Sequence, residues 1–296
     1  SLSFGAGLSS LLGGLLLTWL SGISAVSLPL LGELAAWQLM FVMLGLPGLL
    51  LSLVFLNWPE PRRMVDDSVF GDAPVSLADT LGYMRSQWWG FLLVFGLFSA
   101  MLMIAFTHGW HAALFQRAWG WSAAEYALAN GGVLLVFGPA SGLLAGHYSD
   151  RLMQRGMRDA PIRIALIGMA LIVPTEILKS LATSGEWALV TLAFNTVGFA
   201  MMSAVGVTAL LNMTPARVKA RTVALYYMVT SLLGSFVGPT TVGWFNDQVF
   251  TSAEGIRYSM MVLPIALGVP VLLIGPVICR AFIASCRARE AAAASG

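Results

Sequence analysis

Eight runs of about twenty mostly apolar residues dominate the chain, at 4–23, 37–56, 88–108, 123–147, 162–181, 187–212, 222–245 and 259–282. Each is long enough to cross the roughly 30 Å hydrocarbon core of a bilayer as a helix. In lipid a backbone satisfies its own N–H and C=O groups only as a helix or a closed barrel, and runs of this length select the helix. The expected fold class is therefore all-α, a polytopic membrane helix bundle of about eight transmembrane helices. Composition points the same way. Charged residues make up 10% of the 296-residue chain and hydrophobic ones 58%, where a soluble domain carries roughly 25% charge. Such a chain cannot cover a soluble surface, which excludes a soluble enzyme and a disordered protein. A net charge of +2 is too small for a nucleic-acid footprint. Cys279 and Cys286 are too few for a disulfide framework or a four-cysteine metal site. They sit at the inner end of the last run, where palmitoylation and an idle thiol are both open.

The chain opens at Ser1 with no basic region before its first apolar run, so that run is not a signal peptide. The N-terminus of a longer protein is expected ahead of it. The longest polar stretch, 57–87, holds Glu60, Arg62, Arg63, Asp66, Asp67, Asp72, Asp79 and Arg85 and is the candidate domain boundary. Inside it, Ser76 and Asp79 have the spacing of a capping box and predict a short amphipathic helix to about Gln87. Ser122 and Glu125 predict another box before the fourth run. Thirteen of the 16 basic residues fall on one side of the alternating loops; only Arg117, Lys179 and Arg257 fall on the other. By the positive-inside rule both termini are expected in the cytoplasm and the chain in a plasma (inner) membrane.

Between the fourth and fifth runs lies Gly146-His-Tyr-Ser-Asp150-Arg151-Leu-Met-Gln-Arg155-Gly156-Met-Arg158. It reads either as an ordinary positive-inside loop or as a latch. In the second reading Asp150 accepts N–H bonds at a neighbouring helix N-terminus and Arg151 and Arg155 pair with it. The segment resembles the loop motif of the major facilitator superfamily, G-x-x-x-D-R-x-G-R-[RK], in a degenerate copy: Leu152 and Met153 precede the basic positions and Arg155 comes one place late. Three flanking segments are similar to other parts of that family. Arg117-Ala-Trp-Gly120-Trp121-Ser122 resembles the approach to its eighth helix. Trp37-Gln38 through Gly45-Leu-Pro47-Gly48 resembles the sixth, with Pro59-Glu60-Pro61-Arg62-Arg63 as its exit. Gly234-Ser-Phe-Val-Gly238-Pro239 resembles the eleventh. The nearest branch is spinster-like, with anion:cation symporters beside it.

The resemblance implies that the eight runs are helices five to twelve of a twelve-helix fold, without the first four. The implied organisation is two helices of the N-terminal half (1–58), a cytoplasmic linker (59–87), the C-terminal six-helix half (88–283) and a cytoplasmic tail (284–296). Gly146, Asp150, Arg151 and Arg155 would form a cytoplasmic gate partnered by the start of the first helix. Gly13, Gly14, Gly138, Gly142, Gly234, Gly238 and Pro239 would form a sliding seam between halves, although small residues at this spacing equally serve static packing. The first run has no Gly-Pro pair, which speaks against an antiporter.

Polar groups within the runs are few. Glu176 and Lys179, three apart near the outer end of the fifth run, can pair on one helix face, as an interfacial ion pair or a functional one. His108 and His111 suit an aromatic-belt anchor, a proton-coupling pair or two metal ligands, but no third ligand is evident near them in sequence, so no metal site is expected. Asn130, Asn195 and Tyr226 must find partners or line a wet cavity. No arginine lies mid-membrane to clamp a carboxylate, and the motifs of hydrolases, zinc proteases and P-loop enzymes are missing. The reading is a non-enzymatic secondary transporter with no cofactor. It would move a small organic solute, amphipathic or an organic anion, by alternating access. Its partners would be that solute, the lipid bilayer and the missing N-terminal helices, not nucleic acid. The alternative is a non-transporting membrane scaffold or subunit of a larger assembly.

Overall fold

The computed structural model describes residues 2–20, 25–28, 32–56, 76–252 and 254–294. Along the chain lie α1 (Leu2–Leu20), the strands β1 (Ala25–Leu28) and β2 (Gly32–Ala35), α2 (Ala36–Leu56), α3 (Leu77–Ser86), α4 (Trp88–Phe106) and α5 (His111–Trp119). They are followed by α6 (Ala123–Gln154), α7 (Ala160–Ser180), α8 (Gly185–Asn212), α9 (Lys219–Gln248), α10 (Gly255–Leu263), α11 (Val269–Leu273) and α12 (Gly275–Ala294). Among the described residues seven helical stretches are long and apolar enough to cross a membrane; the apolar part of α1, Phe4–Leu20, is shorter. β1 and β2 pair antiparallel, Ala25 opposite Ala35 and Leu28 opposite Gly32, where the sequence suggests only a connection. Of the stretch 57–87, residues 57–75 lie outside the described residues.

Local signals set most helix ends. Ser76 and Asp79 form a full capping box at α3, as do Ser122 and Glu125 at α6. Bonding to Ser76, through its backbone N–H first, holds the Asp79 carboxyl below the usual carboxylate range. The Tyr83 hydroxyl then ties α3 to the end of α8, donating to the Met213 carbonyl at 2.8 Å. Two spans run differently from their apolar patterns. α4 does not end at His108 but passes through a 3-10 turn, Thr107–Trp110, into α5. α6 runs seven residues past His147, so that Asp150 and Arg151 are helical and the turn to α7 falls at Gly156, where φ is +86°. The last span is interrupted by one π-helical turn, Pro264–Gly268, closed by the Val269 N–H donating to the Pro264 carbonyl. Pro264, Pro270 and Pro276 each remove a donor that a regular helix needs there.

The core sits where α4, α7, α8 and the last helix meet, around Phe98, Ile104, Ile162, Met169, Ile172, Met202 and Phe282. Glycine allows the closest approaches. Gly168 of α7 faces Gly198 of α8, and a Cβ on either would come within 2.7 Å of the other's carbonyl oxygen. α1 lies antiparallel against α6 in the same manner: Gly7 faces Leu135, Leu11 faces Gly131 and Gly14 faces Leu128. Ser10 Oγ stitches this seam by donating to the Ala127 carbonyl at 2.8 Å.

These contacts redraw the expected seam. Gly14 belongs to it, but Gly13 faces open space, and Gly7 and Gly131 do the work assigned to Gly13. Gly138 is buried, Gly142 only reaches ordinary contact with Ala200 of α8, and Gly146 meets nothing. Gly234 and Gly238 pack against Leu102, Met103 and Phe106 of α4. The Pro239 carbonyl accepts the Trp110 indole N–H at 3.2 Å. The α9 ridge therefore joins two helices of the 88–283 bundle. Sequence spacing reveals a small-residue face but not which helix lies against it.

Gly131→Leu should force α1 and α6 apart, at a cost of about 1–3 kcal/mol as for other overpacked interfaces. Gly13→Leu should leave the unfolding midpoint in detergent unchanged. Equal shifts for the two would place the seam elsewhere.

Candidate functional site

The C-terminal end of α7 carries Glu176 and Lys179, one helical turn apart. Helix spacing alone lets them pair, but their surroundings decide what the pair is. Both side chains are wholly buried, whereas the sequence allows an exposed interfacial pair. The cause is the unexpected continuation of α4: the 3-10 turn and α5 lie beside the end of α7 and bring His108 and His111 over it. Lys179 Nζ donates to Glu176 Oε2 and to His111 Nε2, each at 2.5 Å. An imidazole nitrogen that accepts from an ammonium carries no proton, so the His111 proton sits on Nδ1. His111 is itself buried, its ring edge-on to Tyr126 at 6.4 Å.

His108 completes the group. Its Nε2 comes within 3.4 Å of Glu176 Oε1, yet neither atom makes a hydrogen bond among the described residues. The two imidazoles lie 4.4 Å apart, and Phe199 of α8 stands edge-on to His108 at 4.8 Å. The His108 side chain is 34% exposed, whereas those of Glu176, Lys179 and His111 are buried. Directly before Glu176 on α7, Thr175 Oγ1 accepts from Asn195 Nδ2 at 3.2 Å, and Asn195 Oδ1 is buried without a hydrogen-bond partner among the described residues. A third donor that sequence spacing does not show beside the histidines is the Glu176 carboxylate. The donor atoms of His108, His111 and Glu176 all lie within 4.8 Å of one another. The expectation of no metal site rested on sequence distance, and the fold removes that distance.

The other expected site residues lie apart from this cluster. Asn130 is at the α1–α6 seam, its amide nitrogen 3.5 Å from Ser10 Oγ. Tyr226 is buried on α9 against Phe95 and Phe98, with its hydroxyl over Gly206. The gate residues are not assembled into a latch. Asp150, Arg151 and Arg155 are exposed, and among the described residues none of them makes an ion pair. The α1–α6 register places Asp150 beyond the described part of α1. With Gly7 facing Leu135, Leu2 is level with about residue 140, and Asp150 lies about 15 Å further along at 1.5 Å per residue. Ion pairs at this end include Arg158 with Glu290 of α12 at 2.9 Å and buried Asp159 with Arg163 at 2.8 Å.

Two apolar cavities border the spans. One of about 830 Å³ lies between α3, α4, α9 and the last helix, with Phe91, Phe95, Met103, Leu233 and Ile274 in its wall. One of about 310 Å³ lies between α6 and α8 and is lined only by apolar residues, Phe137, Val190 and Phe194 among them.

The sequence profile of the Major Facilitator Superfamily matches residues 1–239, and the chain belongs to that superfamily. It is a multi-pass membrane protein of a transporter family. Two solved structures share its fold. The first is a bacterial homolog of the human lysosomal transporter Spinster in an inward-facing, unoccupied conformation. It has a TM-score of 0.71 and 18% identity over 96% of this chain and 69% of that one. The second is a bacterial Spinster homolog in an inward-facing, occupied conformation, with a TM-score of 0.58 and 18% identity over 96% of this chain and 67% of that one. At this identity the likeness is one of fold. No curated protein matches the chain.

Glu176→Leu or Lys179→Leu alone should destabilise the protein by roughly 3–5 kcal/mol, because each strands a buried charge. The double variant should recover much of that loss, less the hydrogen bond that His111 forfeits. Thermal unfolding of the three variants in detergent checks this; strictly additive losses would refute the coupling.

Proposed function

We propose that this chain moves a single-chain amphiphile across the membrane by alternating access. The observation that carries the reading is charge neutralisation. Among the described spans the Glu176–Lys179 pair is buried and answers itself, which leaves no free charge between α6 and α8 to hold an organic anion. The wall between those helices is apolar instead, with Phe137 and Phe194 exposed to it. An alkyl chain laid there gains burial of about 25 cal/mol per Å², while a sugar acid gains nothing.

In this reading α1 and α2 take the places of helices five and six, 59–87 links the halves, and the span 88–283 forms the second half. The Gly7–Gly14–Gly131 seam is then where the halves slide, and the basic loops keep both chain ends in the cytoplasm of a plasma (inner) membrane. The fold is shared with a bacterial Spinster homolog solved in inward-facing, unoccupied and occupied forms, and alternating access would need an outward-facing form of the same fold as well.

The test is counterflow into proteoliposomes holding the full chain, with a radiolabelled single-chain amphiphile and a radiolabelled hexuronate. The amphiphile should exchange and the hexuronate should not compete. Phe194→Asp should lower amphiphile exchange about tenfold or more, since a charge in an apolar wall costs well over the 1.4 kcal/mol that tenfold represents. Exchange of hexuronate alone would overturn the substrate class. No exchange of either by inserted protein would favour the scaffold.

A further inference from the structure

We propose that His108, His111 and Glu176 form a binding site for a borderline transition-metal dication such as Zn²⁺, and that the Lys179 ammonium competes for it. Two imidazoles and one carboxylate are a donor set suited to such ions. Around a tetrahedral ion with ligands at about 2.0–2.1 Å, neighbouring donors lie about 3.3 Å apart. His108 Nε2 and Glu176 Oε1 stand at 3.4 Å already, and the whole set lies within 4.8 Å. These two atoms are also buried with no hydrogen bond, although hydrocarbon-facing protein seldom leaves such atoms unanswered. A dication between them would answer both. The partial exposure of the His108 side chain supplies the route in and leaves a fourth position for water, as three-ligand zinc sites have.

Lys179 sets the affinity. Its ammonium donates to Glu176 Oε2 and to the Nε2 lone pair of His111, the same lone pair a metal would take. The ammonium is thus a tethered cation on two of the three ligands. A bound dication would replace it there and tie the α4–α5 junction to α7. His147, on the far part of α6, lies outside the cluster and serves as a control.

The full chain purified in detergent, with Zn²⁺ as the probe, tests this independently of transport. Zn²⁺ should raise the unfolding midpoint of the wild type, and His108→Gln should abolish the gain while His147→Gln keeps it. Lys179→Met should bind Zn²⁺ about tenfold more tightly or better, the scale of one like charge removed from beside a bound ion. Zn²⁺ should also restore the stability this variant loses. Co²⁺ added to Lys179→Met should show the visible absorption of four-coordinate Co²⁺, absent from the variant that also carries His108→Gln. Where Lys179→Met does not fold, Lys179→Gln keeps a hydrogen-bonding group and removes the charge. Equal Zn²⁺ affinity with and without the lysine, survival of binding in His108→Gln, or no stabilisation of any variant would each overturn the proposal. Failure of counterflow with these shifts intact would count against the transport reading alone.

Discussion

Hydrocarbon offers a buried charge no partner, so Glu176 and Lys179 can persist inside the bundle only by answering each other and drawing His111 into the bond. That requirement bears on the region where the C-terminal end of α7 meets the α4–α5 junction. α4 does not stop where its apolar run stops; it turns into α5, which places His108 and His111 against the pair. Gly120, with φ of +71°, then ends α5 in the left-handed conformation, and Ser122 caps α6 directly after. A short stretch of chain thus serves the charge first and the topology second.

Close helix packing is the second constraint. Lipid tails are as apolar as leucine, so helices associate by contact and not by expelling water. The Gly168–Gly198 crossing between α7 and α8 brings two backbones into direct contact, and the same crossing region carries the Asn195–Thr175 bond. The glycine contact and the polar cluster thus lie on the same helix, α7.

Much was legible without the fold. The apolar runs mark the spans, and both capping boxes follow from Ser-x-x-Asp and Ser-x-x-Glu spacings. The family segments around Gly120, Asp150 and Gly238 agree with the profile match. Less legible was anything that depends on which face meets which helix. Gly234 and Gly238 are a ridge in sequence, but their partner is α4. Asp150 looks like a latch in sequence, but among the described residues it is exposed and makes no ion pair.

Sequence by itself determined that the chain spans a membrane in helices, where those helices start, and how sparse its internal charges are. Those properties are local: they follow from hydrophobic run length, capping side chains and composition. Only the tertiary structure decided that His108 and His111 converge with Glu176, 65 residues later in the chain, and that Lys179 sits among them. No periodicity connects α5 to α7; their meeting depends on how long helices pack around one core, which is a property of the assembled bundle.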